Sequence, residues 1–205
     1  LRIICTPPLA QQLLPHSIAA LRRRLPDAAC TLLSQPTREI VRSLLLRESD
    51  LGLSLHDPDH ADIYCQVIAQ GKLQLLAPHG WLQPKQKYIS LQDLAGQSMV
   101  GLEGHDPLSP ALDNKLHALR PAPVIQTRVQ THQMMRSMVE AGEGLAIVDP
   151  FTALGAKSSG LDACPLAPAV PISLYALTLK NGEPMPAVQV LLDILTEQAV
   201  AMLSS

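Results

Sequence analysis

The segment Thr131–Pro150, THQMMRSMVEAGEGLAIVDP, predicts a helix, a turn, a buried strand and the start of a second helix. Thr131 can cap the first helix, because its hydroxyl accepts from an unpaired amide of the first turn. Gly142 ends that helix, since glycine adopts the left-handed conformation without strain. The apolar run Leu145–Val148 is typical of a strand covered on both faces. Ligands of open α/β sheets bind at the carboxyl ends of such strands, so this segment is expected to form one side of a small-molecule site.

Two side-chain patterns in the segment carry further expectations. The apolar side chains of its first helix are spaced to face the core together; they are Met134, Met135, Met138 and Val139. Asp149 follows the buried strand, where its carboxylate can contact a ligand or can cap the helix that begins at Pro150. The sequence leaves both roles of Asp149 open.

The bulk composition disfavours some functions. With 16 basic and 18 acidic residues among 205, the net charge is -2, which argues against a DNA-binding surface on this segment. The cysteines show no C-x-x-C spacing, and we interpret them as reduced thiols of a cytoplasmic protein; they are Cys5, Cys30, Cys65 and Cys164. The sequence shows no signal peptide and no uninterrupted apolar run of membrane-spanning length. It opens on a strand without an initiator Met, so we expect a further segment on the N-terminal side.

The first part of the chain alternates strands with helices. The predicted strands are Leu1–Cys5, Ala29–Leu33 and Asp50–Leu55. A helix over Gln11–Leu25 follows the loop Thr6-Pro7-Pro8, and a second helix begins after Thr37, whose hydroxyl can cap it. This alternation predicts a parallel sheet with right-handed crossovers.

The run His56–Asp62, HDPDHAD, brings two histidines and three aspartates within seven residues. Imidazole and carboxylate groups at this density suggest a metal site. A polar loop with a proline turn explains the same residues, and no helix fixes the two histidines on one face. We therefore favour the loop, and we expect no metal and no cofactor.

The rest of the chain predicts a second lobe and a return to the first. Cys65–Ala77 is interpreted as one long strand, kinked near Gly71, that carries the chain into the second lobe. The strand Ile172–Leu179 leads back, and the helix Val188–Leu203 closes the first lobe. The predicted division is lobe I over 1–71 and 177–205, and lobe II over 72–176.

A polar cluster follows the predicted strand Gln97–Leu102 at its carboxyl end. Glu103, His105 and Asp106 lie close together there. Asp106 can cap a helix that starts at Pro107, but this cap would leave Glu103 and His105 unexplained. Both a ligand contact and a helix start remain open for this cluster.

Several motifs resemble, in the same order, those of the effector-binding domain of LysR-type transcriptional regulators. The signature V-x-x-G-x-G-[IL]-x-[IV]-[LV]-x-P is matched by Val139, Gly142, Gly144, Leu145, Ile147, Val148 and Pro150. Asp50–Leu53 matches D-[LI]-G-[ILV], and Leu91–Gly96 matches L-x-D-L-x-G. The resemblance implies an α/β fold like that of type 2 periplasmic binding proteins, with two Rossmann-like lobes joined by two crossing strands.

The same resemblance implies a mode of action. A small-molecule effector would bind between the lobes and switch DNA binding by an N-terminal winged helix-turn-helix domain, which this sequence lacks. A homodimer or tetramer is expected, with the helix Gln11–Leu25 of one chain packed against lobe II of another. The motifs H-D-P-L and V-D-P-F-T-A resemble the amino-acid- and opine-responsive members, such as the octopine and nopaline regulators.

Polar residues at predicted strand ends define the expected effector site. Neutral donors of lobe I would hold a carboxylate, while carboxylates of lobe II, Asp149 above all, would hold an ammonium group. The expected ligand-binding residues are Thr6, Pro7, Gln35, Thr37, Glu103, His105, Asp106, Gln130, Thr131 and Asp149.

Two other functions remain open for the same architecture. One is a periplasmic-type solute-binding protein for transport. The other is a bilobed enzyme that would use Glu103, His105 and Asp106 as acid and base. The sequence shows no nucleophile–base pair, phosphate loop or metal-ligand spacing, so we expect that the protein is not an enzyme and assign no catalytic residue.

Overall fold

The computed structural model of the protein describes residues 1–103, 109–182 and 185–204. The chain divides into two compact units. Lobe I comprises Leu1–Gly71 and Ile172–Ser205, and lobe II comprises Lys72–Pro171. The return to lobe I falls at residue 172, whereas the sequence places it at residue 177.

Strands and helices alternate in both lobes, as in the α/β fold predicted from the sequence. In chain order the elements are β1 (Arg2–Cys5), α1 (Pro7–Gln12), α2 (Leu14–Arg24), β2 (Thr31–Ser34), α3 (Thr37–Leu45), β3 (Leu51–Ser54), β4 (Ile63–Lys72), β5 (Gln74–Pro78), β6 (Ile89–Ser90), β7 (Ser98–Leu102), α4 (Ser109–His117), β8 (Val124–Val129), α5 (His132–Glu140), β9 (Ala146–Val148), α6 (Pro150–Ala153), β10 (Leu161–Ala167), β11 (Pro171–Leu179) and α7 (Pro186–Leu203). Short 3-10 helices occupy Leu91–Leu94 and Lys157–Ser159.

Lobe I is built on a sheet with the strand order β2-β1-β3-β11-β4. β1 pairs in parallel with β2 and β3, and β11 returns to pair antiparallel with β3. The predicted parallel arrangement of the first three strands is therefore confirmed. Gly52 in β3 lets α3 pack directly on this sheet, because a Cβ there would lie 2.6 Å from Ile40 Cγ2. This close approach explains why the D-L-G-L motif contains glycine.

Two local predictions for lobe I are wrong. Thr6-Pro7-Pro8 is not a loop, because α1 begins at Pro7, where the fixed φ of proline suits the first helical turn. Thr37 is not a helix cap, because Pro36 occupies the cap position of α3. The Thr37 hydroxyl instead lies 2.9 Å from the hydroxyl of Ser54. Both differences lie at the carboxyl end of the sheet, so they change the polar groups that a ligand would meet.

Lobe II combines a mixed sheet, in which β5 pairs antiparallel with β10 and β9 while β6 pairs in parallel with β10, with a separate parallel pair of strands. The sheet has the order β6-β10-β5-β9, and β7 pairs in parallel with β8. A parallel bridge between Met99 and Leu145 joins the two groups, and the Val100 N–H donates to Leu145 O at 2.8 Å. Because β7, β8 and the chain entering β9 run in one direction, their carboxyl ends reach the same edge of lobe II.

The predicted strand Cys65–Ala77, with its kink near Gly71, is interrupted at Leu73 and forms the two strands β4 and β5. Buried Leu73 lies between the two strands, and its N–H donates to Val170 O at 2.9 Å. β4 belongs to the sheet of lobe I and β5 to the sheet of lobe II. The interruption therefore marks the point where the chain leaves one sheet and joins the other.

The segment Thr131–Pro150 folds as predicted into helix, turn, strand and helix. Gly142 follows α5 with φ +88°, and Gly144 has φ +122°. A Cβ at Gly144 would collide with the backbone carbonyl of Ser98. The second glycine of the signature therefore permits the close approach between the start of β9 and β7.

The apolar face of α5 differs in one position from the prediction. Met135 and Val139 are buried, but Met134 is exposed. Consecutive helical residues point more than a quarter of a turn apart, so Met134 cannot share the stripe that Met135 and Val139 form at i and i+4. Arg136, which directly follows Met135, is also buried.

α7 is the helix, within the described part of the chain, that is long and apolar enough to cross a membrane by length and composition alone. Its Leu191 and Leu195 are fully buried, and it packs against α2 of lobe I. At the end of α2, Arg24 Nη2 also lies 3.5 Å from Glu197 Oε2 of α7. α7 is thus positioned as a packed helix of lobe I.

All four cysteines are free thiols. Cys5 and Cys164 are buried, and Cys30 and Cys65 are partly buried. Burial raises the pKa of the Cys5 thiol to about 12, so this group is protonated at neutral pH. The unpaired state agrees with the interpretation of these residues as reduced thiols.

Candidate functional site

The carboxyl edge of the lobe I sheet carries a row of hydroxyl groups. Thr6 follows β1, Thr37 begins the helix after β2, and Ser54 ends β3. The parallel pairing of β1 with β2 and β3 brings the ends of these strands to one edge. Hydroxyl groups both donate and accept hydrogen bonds, so this row suits an anionic or neutral oxygen ligand.

Thr6 is the unsatisfied member of this row. Its Oγ1 is buried and has no hydrogen-bond partner among the described residues, although its N–H donates to Leu53 O at 3.1 Å. Thr37 and Ser54 instead share a hydrogen bond of 2.9 Å, and Ser54 Oγ also accepts from the His56 N–H at 3.0 Å. A buried polar atom without a partner costs on the order of 1–3 kcal/mol. A ligand oxygen would therefore gain most at Thr6.

Three further residues complete the description of this edge. Gln35 is exposed after β2, and its N–H donates to Cys5 O at 2.9 Å. Pro7, the first residue of α1, has no N–H and therefore cannot donate a backbone hydrogen bond to a ligand. Ser54 is absent from the residues expected from the sequence, although its place at the end of a parallel strand is a signal that could have identified it.

Lobe II presents polar residues at the carboxyl ends of β7 and β8. Glu103 and Gln130 are both exposed there, and the Glu103 N–H donates to Val129 O at 2.7 Å. The predicted site residues His105 and Asp106 lie outside the described residues. Among the described residues that directly follow β7 and β8, Glu103 is a carboxylate that solvent, and therefore a ligand, can reach.

Thr131 and Asp149 act as helix caps. Thr131 Oγ1 accepts from the Met134 N–H at 3.1 Å, which confirms its predicted cap. Asp149 is fully buried, and its Oδ1 accepts from the N–H groups of Phe151 and Thr152 at 2.9 and 3.0 Å. The cap that the sequence leaves open for Asp149 is therefore present at the start of α6.

The second oxygen of Asp149 is occupied as well. Oδ2 accepts from the Thr152 hydroxyl at 2.6 Å and lies 2.7 Å from His132 Nδ1. Four neighbours thus surround a carboxylate that offers about four lone-pair directions. Burial is the largest single influence on the pKa of Asp149, and it raises this pKa. The hydrogen bond and charge of His132, together with the hydrogen bonds of Thr152, outweigh burial. The pKa of Asp149 is therefore lowered. This geometry leaves little acceptor capacity for a ligand ammonium group.

Arg136 holds the opposite end of α6. The guanidinium group is buried and donates to Thr152 O at 2.9 Å and to Leu154 O at 2.7 Å. It also donates to Ser159 Oγ at 2.8 Å and to Glu140 Oε1 at 3.0 Å. A positive charge beside the last carbonyls of a helix is favourable for two reasons. It donates hydrogen bonds to these carbonyls, and it interacts favourably with the negative end of the helix dipole. α5 therefore positions α6 through contacts at both ends, Asp149 with His132 and Arg136 with the last carbonyls.

An apolar pocket lies inside lobe II among β7, β8, α4 and α5. Its apolar walls include Met99, Leu112, Leu116, Ile125, Met135 and Ile147. About 40 Å³ of this pocket can be occupied by the centre of a water-sized group. Asp113 and His132 contribute polar atoms to the lining.

The acidic and histidine-rich run His56–Asp62 forms a loop with local hydrogen bonds. The Asp59 N–H donates to Asp57 Oδ1 at 2.9 Å, and the Asp62 N–H contacts His60 Nδ1 at 3.2 Å. Within residues 1–103, 109–182 and 185–204, no group of three or more His, Cys, Asp or Glu side chains is placed to hold a metal ion. The loop interpretation accounts for the contacts of this run.

A comparison with protein families matches residues 1–200 to the LysR substrate binding domain. The transcriptional activator protein LysR of Escherichia coli (strain K12) is 27% identical over 178 residues, which are 85% of this chain and 56% of that protein. The chain spans between 56% and 66% of the length of this and three further curated relatives.

Solved structures show the same fold. HinK, a LysR family transcriptional regulator from Pseudomonas aeruginosa, has a TM-score of 0.82 at 23% identity, covering 98% of this chain and 71% of that chain. The regulatory domain of CcmR from Synechocystis PCC6803, solved in complex with 2-PG, has a TM-score of 0.79 at 16% identity, covering 96% of this chain and 95% of that chain. The type 2 periplasmic-binding-protein-like architecture predicted from the sequence is thereby confirmed.

Proposed function

Because the chain belongs to the LysR substrate-binding domain family, the effector-binding part of LysR-type transcriptional regulators, we propose that it senses a small carboxylate. Its matching relatives are named as transcriptional regulators, which favours regulation over transport or catalysis. DNA would be bound by an N-terminal winged helix-turn-helix domain, in agreement with the net charge of -2 on this segment. Such a regulator works in the cytoplasm.

The buried, unpaired hydroxyl of Thr6 is the observation that carries this proposal. A carboxylate oxygen placed at the lobe I edge would accept from Thr6 Oγ1, and Thr37 and Gln35 would complete the polar surroundings. The gain exceeds that of an ordinary hydroxyl contact, because Thr6 gives up no existing partner among the described residues when the ligand binds.

The remaining predicted residues receive different roles in this proposal. Glu103 and Gln130, both exposed, would contact the effector from lobe II, and Glu103 replaces Asp149 as the carboxylate for any amino group. Thr131 and Asp149 would position α5 and α6 through their caps. His105 and Asp106 stay predicted contacts. The effector can switch the protein only through different affinities for two conformations.

The variant Thr6→Val tests the proposal, because it replaces the hydroxyl by a methyl group of the same shape. Removing an unsatisfied buried hydroxyl should stabilise the unliganded protein by about 1 kcal/mol, measured by urea unfolding. The same change should weaken carboxylate binding about tenfold, as expected for a lost hydrogen bond to a charged group, measured by titration calorimetry. Thr178→Val, at a partly buried position of β11 in the same sheet, is the control and should leave the carboxylate affinity unchanged. Unchanged carboxylate affinity in Thr6→Val would contradict the proposal.

We also propose that the protein is a homodimer that covers β2. β2 is an edge strand, and its side chains Leu32 and Leu33 are 45% and 42% exposed. Exposed apolar edge strands promote association with other chains. Leu33→Lys should therefore convert the dimer to monomer in sedimentation velocity. Val67→Lys on the opposite edge strand, β4, offers a control of similar exposure and should leave the dimer intact; equal effects of the two changes would exclude β2 as the interface.

A further inference from the structure

The turn that follows β11 in lobe I contains the pair Asn181-Gly182. β11 ends at Leu179, and Lys180, Asn181 and Gly182 after it are all exposed. The Gly182 N–H donates to Leu179 O at 3.2 Å, which is at the long end of the usual range for such a bond. Glycine has no side chain beside its nitrogen and adopts a wide range of backbone angles. The peptide nitrogen of Gly182 is therefore sterically free to approach the side chain of Asn181.

An asparagine followed by glycine in an exposed turn can react with its own backbone. The Gly182 nitrogen attacks the side-chain carbonyl carbon of Asn181 and closes a succinimide ring. The proton of that nitrogen passes through water to the leaving amide nitrogen, which departs as ammonia. Water then opens the ring at one of its two carbonyl carbons and gives aspartate or isoaspartate. Because the two steps together exchange ammonia for water, they require no oxidant, reductant or enzyme.

The sequence contains one other asparagine, Asn114, in a different setting. Asn114 is also exposed, but it lies within α4 and precedes Lys115. The Ala118 N–H donates to Asn114 O at 3.1 Å, so the helix continues past this residue. A helical backbone keeps the following peptide nitrogen in the hydrogen-bond ladder, and the lysine side chain crowds it. The turn and the glycine, rather than exposure, therefore distinguish Asn181 from Asn114.

We propose that Asn181 is a site of spontaneous deamidation. The reaction replaces a neutral amide by a carboxylate on the surface of lobe I, so the chain becomes one unit more negative than its net charge of -2. The new charge arises beside an acidic segment, because the Lys180 N–H donates to Asp62 O at 3.0 Å and Asp62 ends the run His56–Asp62. An aged molecule therefore carries a more acidic surface at this corner of lobe I than a newly made one.

Peptide mapping by mass spectrometry tests the proposal. The purified protein would be incubated at constant temperature, at neutral and at mildly alkaline pH. The peptide that contains Asn181 should gain about 1 Da with time, since an oxygen replaces the amide nitrogen. The gain should be faster at the higher pH, because the attacking nitrogen must lose a proton. The Asn114 peptide of the same samples should keep its mass, and equal rates at the two asparagines would overturn the assignment.

A parallel sample in urea measures how far the folded turn permits the reaction. In the folded protein the Gly182 N–H must first leave Leu179 O. The net strength of one such hydrogen bond predicts a rate about tenfold below that of the unfolded chain. A folded-state rate that is lower by about a thousandfold or more would show that the turn blocks ring closure, and the proposal would fail.

Two variants of the turn identify the reacting groups. Asn181→Gln keeps a side-chain amide but lengthens the ring that must close, so its peptide should show no mass gain over the same period. Gly182→Ala places a Cβ 3.3 Å from Leu179 O and restricts the backbone, so the rate should fall about fivefold. A mass gain that continues unchanged in Asn181→Gln would assign the modification to another residue and refute the proposal.

Discussion

The buried carboxylate of Asp149 gives the sharpest prediction, because a ligand contact and a helix cap lead to opposite results. Asp149→Ala removes a carboxylate that accepts from three donors, the N–H groups of Phe151 and Thr152 and the Thr152 hydroxyl, and that lies 2.7 Å from His132 Nδ1. Asp149→Asn keeps one oxygen for the cap and replaces the other by an amide group. Comparing the two variants separates the cap from the charge.

The structure sets the size of each effect. Loss of a helix cap costs about 0.5–2 kcal/mol, and a buried polar group left without its partner costs about 1–3 kcal/mol. Asp149→Ala should therefore lower the free energy of unfolding by about 3–5 kcal/mol. Asp149→Asn should lose only about 1–2 kcal/mol, since the Thr152 hydroxyl and His132 can reorient toward an amide while the charge-assisted bond is lost.

The pH dependence gives a second, independent measurement. The folded state holds the pKa of Asp149 below its ordinary value, so this group stabilises the protein at pH values above about 4, the unfolded pKa. That contribution is lost as the pH falls further through the folded pKa. The stability difference between the unmodified protein and Asp149→Asn should be full at neutral pH and should shrink below about pH 4.

Urea unfolding at neutral and acidic pH measures these differences, provided that the denaturant dependence is the same for all three proteins. Carboxylate affinity, measured alongside, should stay within about threefold in Asp149→Asn, because no ligand contact is lost. A variant with unchanged stability but greatly reduced affinity for a cationic ligand would refute the reasoning and assign Asp149 to the effector.

Three further substitutions test the packing of lobe II by urea unfolding. Arg136→Met keeps the aliphatic stem but leaves the carbonyls at the end of α6 without their donor, and should cost about 3 kcal/mol. Gly142→Ala places a side chain at φ +88° in open space and should cost about 1–2 kcal/mol. Gly144→Ala adds a collision with the Ser98 carbonyl to a similar φ strain and should cost about 3 kcal/mol or more. Equal costs at the two glycines would show that the Ser98 carbonyl gives way.

The order and direction of the elements could be predicted because the signals are local. Alternating apolar runs and helical stripes predict strands and crossovers, and the caps at Thr131 and Asp149 depend on residues two or three positions away. The start of α1 at Pro7 was missed because proline also favours loops, and the sequence alone does not decide between the two.

Contacts between distant residues could not be predicted. In the sequence, Arg136 resembles an ordinary solvated arginine of an amphipathic helix. Its acceptors, however, are the backbone carbonyls of Thr152 and Leu154, at the end of the next helix along the chain. Likewise, the sequence predicts that Thr37 caps a helix, but its hydroxyl is hydrogen-bonded to the hydroxyl of Ser54 at the end of β3. The pairing of side chains across a sheet edge depends on the tertiary fold, which single-sequence patterns do not contain.

The residues that identify the family and the residues proposed to select the effector are different sets. Gly144 permits the approach of β9 to β7, and Asp149 caps α6, so the signature between them is explained by the packing of lobe II. A match to this signature therefore establishes the fold without restricting the ligand. Ligand choice would depend on positions outside it, such as the unpaired hydroxyl of Thr6. A substitution at Thr6 should change effector preference with little loss of stability, whereas substitutions in the signature should do the reverse.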